Sequence, residues 1–275
     1  MLLFSQAKIN IGLTILNKRS DGYHNLETIF YPIPWQDAIE IFESDTFDLH
    51  TYGLDLNIPK ESHLIYKTWQ FLKEHFDHLR GKEVEVHHLK HIPHGAGLGG
   101  GSGNVATFIK GINVLFNCNW SDKKMEDIAS RIGSDCALFI KEQAAIGKGR
   151  GELLENIDLD LSPYTLQIFT PSIQINTGDA FKKLHEFRSK KPSLNFNYHD
   201  ILDLPIEDWK HHIKNDFLAL YQDSYPLISK GIELLYEEGA LFADLSGSGP
   251  SFYGIFEKGK HSENPHLKAL TQMVI

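Results

Sequence analysis

The stretch from Ile92 to Ala106 reads Ile-Pro-His-Gly-Ala-Gly-Leu-Gly-Gly-Gly-Ser-Gly-Asn-Val-Ala, and it restricts the fold more than any other part of the chain. Gly95, Gly97, Gly99, Gly100 and Gly101 leave five of seven consecutive positions without a side chain. So dense a run is costly in chain entropy, which implies a use for bare backbone. Val105, Ile109, Ile112 and Phe116 then recur at helical spacing, so the glycines lead into a helix N-terminus. Converging N–H groups and the positive end of a helix dipole together suit a phosphate. Ser102 adds a hydroxyl, and Asn104 is expected to cap the helix. The alternative is a flexible linker, but a linker does not run straight into an amphipathic helix.

The kind of phosphate loop is partly decided by what surrounds it. A Walker A loop ends in Gly-Lys-Ser/Thr, and here no lysine follows the glycines until Lys110. Gly95, Gly97 and Gly100 match the dinucleotide fingerprint by spacing, which any glycine-dense run can do by chance. That fingerprint also requires a hydrophobic strand running directly into the first glycine. Instead Glu83 to His88 alternates polar and apolar like a half-exposed antiparallel strand, and Pro93 precedes the glycines. A Rossmann fold is therefore the second choice.

Composition narrows the partners. With 27 basic and 36 acidic residues the formal net charge is −9, which argues against nucleic acid, whose affinity comes mostly from basic contacts to phosphate. A phosphate ligand must then be held by local groups. The two cysteines, Cys118 and Cys136, make no disulfide framework and fit a reducing cytoplasm. No apolar run approaches membrane-spanning length and the N-terminus does not read as a signal peptide, so a soluble cytoplasmic protein with no membrane partner is expected.

Along the chain, residues 2–16 read as a strand with Lys8 and Asn10 inside it, and Asp21-Gly22 is a turn between two strands that carries Tyr23 and His24. A lysine in such a strand more often snorkels at an edge than serves chemistry. Residues 28–50 supply further strand-like segments, and Leu64 to His75 reads as a helix with Leu64, Thr68, Phe71, Leu72 and His75 on one side. Ser121 caps a second helix that runs to about Arg131 and ends at Gly133 as its C′ residue. Asp135 follows at the head of an apolar run. Gly147 to Glu152 is a second glycine-rich turn, and Asn156–Pro163 marks a boundary that divides the chain into 1–155 and 156–275. A strand over 164–170, a polar surface excursion over 188–212 and helices over 212–221 and 225–238 come next. Ala243 to Phe256 reads as strand, glycine turn, strand. His87, His88, His91 and His94 cluster before the glycine loop, but adjacent strand residues face opposite ways and no acidic partner is spaced for them, so a solvated strand end is expected and no metal ligand is assigned.

The order Ala7-Lys-Ile-Asn10, Asp21-Gly-Tyr-His24, Pro93 to Ser102, Gly133-Ser-Asp135 and Ser246-Gly-Ser-Gly-Pro250 resembles the GHMP small-molecule kinases over nearly the whole chain. Within them the Asp-Gly-Tyr-His turn and triple glycine are similar to the branch whose acceptor carries a cytidine diphosphate group. The resemblance implies a two-lobed α+β fold, with an N-terminal lobe like domain 2 of ribosomal protein S5 and a ferredoxin-like C-terminal lobe around an active-site cleft. It implies ATP and Mg²⁺, and transfer of phosphate to a tertiary hydroxyl of a polyol linked to cytidine diphosphate. Lys90, Pro93, His94, Gly95, Ala96, Gly97, Leu98, Gly99, Gly100, Gly101, Ser102 and Gly103 would bind ATP. Asp135 would take the proton from the acceptor hydroxyl and Lys8 would hold that aspartate ionised. Asn10, Tyr23, His24, Thr177 and Phe181 would bind the acceptor, with Tyr23 stacking on the cytosine, His24 reading its edge and Phe181 on the other face. The assembly would be a monomer or homodimer.

The chain departs from the family pattern at four places. Gly103 stands where a second serine is usual, Ala137 where a proline follows the aspartate, His63 for an asparagine and His94 for a methionine. Two further readings stay open: another GHMP kinase of homoserine or mevalonate type, and a ligand-binding regulator that kept the fold and lost the chemistry.

Overall fold

The computed structural model describes residues 1–188 and 197–275, with the side chains of 185–188 left aside. In chain order it comprises β1 (Leu2–Lys18), β2 (His24–Ser44), β3 (Asp48–Gly53), α1 (Leu64–His75), β4 (Glu83–Lys90), α2 (Gly100–Leu115), α3 (Asp122–Ile132) and α4 (Leu138–Lys141). Then follow β5 (Ala145–Lys148), β6 (Leu153–Asn156), β7 (Tyr164–Thr170), α5 (Thr177–Arg188), α6 (Leu218–Ser224) and α7 (Pro226–Glu237). The chain finishes with β8 (Phe242–Leu245), β9 (Phe252–Glu257), α8 (Pro265–Lys268) and β10 (Thr271–Val274). The α+β expectation holds. Among the described residues no helix is long and apolar enough to cross a membrane.

Two compact units divide the chain, each assembled from separate stretches. The first takes residues 1–8, 32–94 and 99–143; the second takes 9–31, 95–98 and 144–275. In the first, Ala38–Ser44 of β2 runs antiparallel to β4, and β4 runs parallel to β3. Val84 and Val86 of β4 are buried with Ile39 and Ile41 of β2, and Trp69 of α1 meets Phe108 of α2 edge to face at 6.3 Å. In the second, β5 pairs antiparallel with Thr28–Phe30 of β2 and with β6, and a four-stranded antiparallel sheet runs β10-β7-β9-β8. Its core gathers Leu13, Phe169, Phe217, Ile228, Leu235 and Phe252.

Several expectations need correction. The core side of α1 is Ile65, Thr68, Trp69 and Leu72, while Leu64 is exposed, so the buried stripe includes Trp69 and leaves out Leu64, Phe71 and His75. The described part of 188–212 is not a surface excursion: Tyr198, Ile201, Ile206 and Trp209 are buried around two 3₁₀ turns, and residues 189–196 lie outside the described residues. Those turns occupy the chain up to His211, so α6 starts at Leu218 rather than at 212. Gly133 closes α3 in extended backbone, with its N–H donating to Ala129 (3.1 Å), not in a left-handed C′ conformation. Ser121 caps α3 as expected, its hydroxyl accepting from the Lys124 N–H.

Candidate functional site

In the first unit Lys8 and Asp135 meet. Lys8 lies on β1 with its stem buried, and Asp135 lies on the 3₁₀ turn (Ser134–Ala137) that follows α3. Lys8 Nζ stands 3.9 Å from Asp135 Oδ2, and the Ser134 hydroxyl donates to Asp135 Oδ1 at 3.1 Å. Burial pushes the Lys8 amine below its ordinary range, and the Asp135 charge pulls it back up. The carboxylate itself is 32% exposed, so it can meet a solute while the lysine stays covered.

The glycine run reaches this pair. Gly99 takes the N-cap position of α2 in left-handed backbone (φ +68°), and a Cβ there would fall 3.0 Å from Lys8 Cγ and 2.9 Å from Phe139 Cζ. The backbone therefore passes directly over the lysine stem, which only glycine permits on both counts. The helix begins at Gly100, so Asn104 is not its cap. The first-turn N–H groups at Gly100, Gly101 and Ser102 lack intrahelical partners by helix geometry and carry the positive end of a sixteen-residue dipole.

Beneath this helix start is a buried polar network. Asp37 of β2 pairs with Lys90 and accepts from the His91 and Ile92 N–H groups (2.7 Å each) and from Asn104 Nδ2 (3.0 Å). Burial raises the Asp37 carboxyl, but the His88 contact and the Lys90 charge more than offset it, leaving it below its usual range. Burial lowers the Lys90 amine against the pull of Asp37. His88 is buried in the same network, 2.9 Å from Asn104 Nδ2 and 3.3 Å from His63, so the solvated-end expectation fails for it. His63 caps α1, accepting from the Ile65 N–H, and burial with the neighbouring His88 lowers its pKa to about 4, keeping the ring neutral. Lys90 is thus a buried support under the start of α2 rather than an exposed cation. Pro93 is half-buried and His94 exposed.

In the second unit Gly95–Leu98 is stitched to the turn between β8 and β9. The Ser246 hydroxyl donates to the Gly97 carbonyl (2.9 Å), and the Ser251 N–H donates to the Ala96 carbonyl (3.1 Å). A Cβ on Gly97 (φ +78°) would fall 2.2 Å from the Ser246 carbonyl oxygen. Asn10 joins the same turn: its N–H donates to Ser246 Oγ (3.3 Å) and its amide to Thr28 Oγ1 (3.1 Å). Asn215 holds the turn from the other end, donating to the Leu245 and Gly247 carbonyls (2.9 and 2.7 Å).

The aromatic residues also lie in the second unit. Asp21 accepts from the Tyr23 N–H (3.1 Å) and is paired with Arg19, which braces a turn that leaves Tyr23 58% exposed. The Arg150 guanidinium lies 5.1 Å from the Tyr23 ring centre. His24 stacks on Phe181 with centroids 5.5 Å apart, and Phe181 in turn meets Phe217 edge to face. Thr177 opens α5 and shares a hydrogen bond with Ser248 (3.0 Å).

Sequence reasoning passed over Asp37, Arg150 and Asn215. Asp37 carried one usable signal, an acidic residue on the apolar face of a strand. Arg150 stood inside the glycine turn singled out above, but its ring partner is 127 positions away (150 − 23 = 127).

Residues 63–143 match the GHMP kinases N terminal domain. A protein of Bacteroides fragilis named 4-diphosphocytidyl-2-C-methyl-D-erythritol kinase is 40% identical over 261 residues, covering 93% of this chain and 92% of that one. A Chlorobaculum tepidum protein of the same name is 34% identical, covering 91% and 87%. Among solved structures, that of a 4-(cytidine 5'-diphospho)-2C-methyl-D-erythritol kinase superposes with a TM-score of 0.79 at 24% identity over 100% of this chain and 98% of the other. The Methanococcus jannaschii mevalonate kinase gives 0.71 at 14% identity, over 100% and 97%.

Proposed function

Since the chain belongs to the 4-diphosphocytidyl-2-C-methyl-D-erythritol kinase family of GHMP kinases, we propose that it transfers the γ-phosphoryl group of ATP to the 2-hydroxyl of that compound, a step of non-mevalonate isoprenoid synthesis. The observation that carries the chemistry is the ion pair of buried Lys8 and half-exposed Asp135 beside the start of α2. Phosphoryl transfer asks mainly for positioning and charge stabilisation, so one carboxylate and one buried cation suffice. Asp135 takes the proton of the acceptor hydroxyl. Lys8 holds that carboxylate ionised and steadies the reacting oxygens. Ser134, by donating to Oδ1, fixes the carboxylate so that Oδ2 is the oxygen presented.

The glycine run holds the phosphates through backbone N–H groups, with Ser102 adding its hydroxyl. Lys90 acts from beneath, its charge balanced by Asp37. Hard oxygen donors of the kind Mg²⁺ takes are present at Asp135 and Ser102. When bound with the nucleotide, Mg²⁺ supplies neutralisation of the phosphate charge. Tyr23, exposed and turned outward, stacks on the cytosine. His24, held flat against Phe181, reads its edge, and Asn10 and Thr177 contact the acceptor. Phe181 is engaged by His24 and Phe217, so it supports the reader of the base rather than standing free to cover its far face.

The test is a coupled ADP-release assay with ATP, Mg²⁺ and 4-diphosphocytidyl-2-C-methyl-D-erythritol, run beside Asp135→Asn. The expected result is turnover that falls by about 10²–10⁴-fold in the variant, the range for losing a positioned base, while ATP binding is kept. Undiminished turnover in the variant would sink the mechanism. Turnover with homoserine or mevalonate in place of the cytidine compound would sink the substrate.

A further inference from the structure

The outer face of the β3–β4 pair carries a cluster that the kinase reading does not use. The two strands run parallel with Asp48 opposite Glu85 and His50 opposite His87. Because strand residues two apart share a face, this register places two carboxylates and two imidazoles on a single patch. The side chains converge: His50 Nε2 lies 3.4 Å from Glu85 Oε1, and His87 Nε2 lies 2.9 Å from the same oxygen. One ligand atom from each of the three lies within 4.8 Å of the others. His50 Nε2 is also 3.4 Å from Asp48 Oδ2.

Within the group of three the separations approach those of a coordination shell, while Asp48 lies beside His50 but outside that group. Four ligands at about 2.0–2.1 Å from a tetrahedral zinc ion are about 3.3 Å from one another. The 3.4 Å contact of His50 with Glu85 already matches, and the 2.9 Å contact opens by only a few tenths of an ångström. The His50 and His87 rings stack at 4.7 Å, so both present their edges to the same point. The Tyr52 hydroxyl stands 3.0 Å from His87 Nδ1, which places the outward ring nitrogen in a hydrogen bond and leaves Nε2 for a metal, as metal-binding histidines are held elsewhere. Lys60 neutralises Asp48 through the other carboxylate oxygen, Oδ1, and leaves Oδ2 facing His50.

We propose that His50, Glu85 and His87 form a three-ligand site for a zinc-class divalent transition ion on the edge of the first unit's sheet, with water as the fourth donor. Two imidazoles with one carboxylate suit Zn²⁺ or Co²⁺, whereas Mg²⁺ wants an octahedral set of oxygens, so the kinase's own cation is not a competitor. Within this unit β3 bonds to β4 alone, and an ion spanning both strands would clip that edge.

The experiment uses tag-free full-length protein. Zn²⁺ is titrated into it by calorimetry, with Co²⁺ absorption as a second readout of coordination, beside His50→Gln/His87→Gln and Tyr52→Phe. The expected result is one tight equivalent per chain and the visible bands of four-coordinate Co²⁺, both lost in the double variant. Tyr52→Phe weakens binding about tenfold, the usual effect of removing the partner of a ligating histidine. Circular dichroism confirms that these surface variants fold. A double variant that keeps the same tight equivalent, or a wild-type chain that takes up none, overturns the proposal.

Discussion

Gly103 gives the sharpest test of how tightly the glycine helix is seated. The family pattern has serine here, and the missing hydroxyl reads at first as a loss to the phosphate cradle. The structure offers another reason. A Cβ at 103 would fall 2.5 Å from the Gln6 carbonyl oxygen and 2.7 Å from Ser5 Oγ, so β1 packs against bare helix backbone. Ordinary contact begins at 3.4 Å, so strand or helix must retreat by 3.4 − 2.5 = 0.9 Å. Forcing an extra carbon into a packed interior costs about 1–3 kcal/mol. Replacing glycine by alanine within a helix returns about 1 kcal/mol, which would blur the result if Gly103→Ala were measured alone. Gly101→Ala removes the ambiguity. It lies in the same helix, gains the same propensity, and its Cβ would meet only Leu64 Cδ1, a methyl that can swing aside. The difference between the two variants therefore isolates the clash at about 1–3 kcal/mol, or roughly 0.3–1 M in urea midpoint at a slope of about 3 kcal/mol/M. Gly103→Ser should be no better than Gly103→Ala. If Gly103→Ala unfolds at the same urea concentration as Gly101→Ala, the close packing of β1 on α2 is wrong.

Three further outcomes are expected. Asp37→Asn keeps the side-chain shape but strands the buried Lys90 ammonium, so stability should drop by about 3–5 kcal/mol in urea unfolding; a loss under 1 kcal/mol would mean the pair is not buried as described. Asp244 is fully buried, which raises its pKa to about 7. The folded state then binds more protons than the unfolded state between about pH 4 and 7, so stability falls as pH rises through that window, by at most about 4 kcal/mol, and levels off above it. Asp244→Asn should flatten that slope, and an unchanged slope would assign it to other groups. Tyr23→Ala should raise KM for the cytidine substrate about 10- to 100-fold, the worth of one base stacked on an aromatic ring, with kcat and stability nearly unchanged because the ring is 58% exposed. A kcat effect with constant KM would refute the stacking role.

What could be read from the sequence was mostly what is local. The apolar repeat after the glycines, the Ser121 cap and the alternation of Glu83 to His88 each rest on neighbours within a few positions, and each is present in the structure. The helix cap expected at Asn104 lies at Gly99, five residues earlier (104 − 99 = 5), because glycine is a poor helix former and gives no sign of a helix start. Gly100 and Gly103 are nevertheless helical, since Ile92, Ser5 and Gln6 pack where side chains would have been. His88 was misjudged for the same reason in reverse. Alternation correctly sends His87 and His88 to opposite faces, but only the fold supplies Asn104 and His63 to one, and His50 and Glu85 to the other. Lys8 and Asp135 stand 135 − 8 = 127 positions apart, and no periodicity links them; family resemblance alone suggested the pair.

The interleaving of the two units carries a consequence for how this protein comes into being. The chain passes from one unit to the other after residues 8, 31, 94, 98 and 143, so no single cut separates them. On the ribosome the first unit cannot close until residue 143 has emerged, and by then it holds stretches belonging to a partner that is not yet made. Lys8 and Asn10, two residues apart on one strand, become ordered with different halves of the molecule. Gene fragments split at any one point should therefore yield insoluble pieces. A chain truncated late, even far beyond Asp135, should lose the second unit's hold on residues 9–31 and 95–98, and with it the seat of the glycine loop proposed to bind the nucleotide.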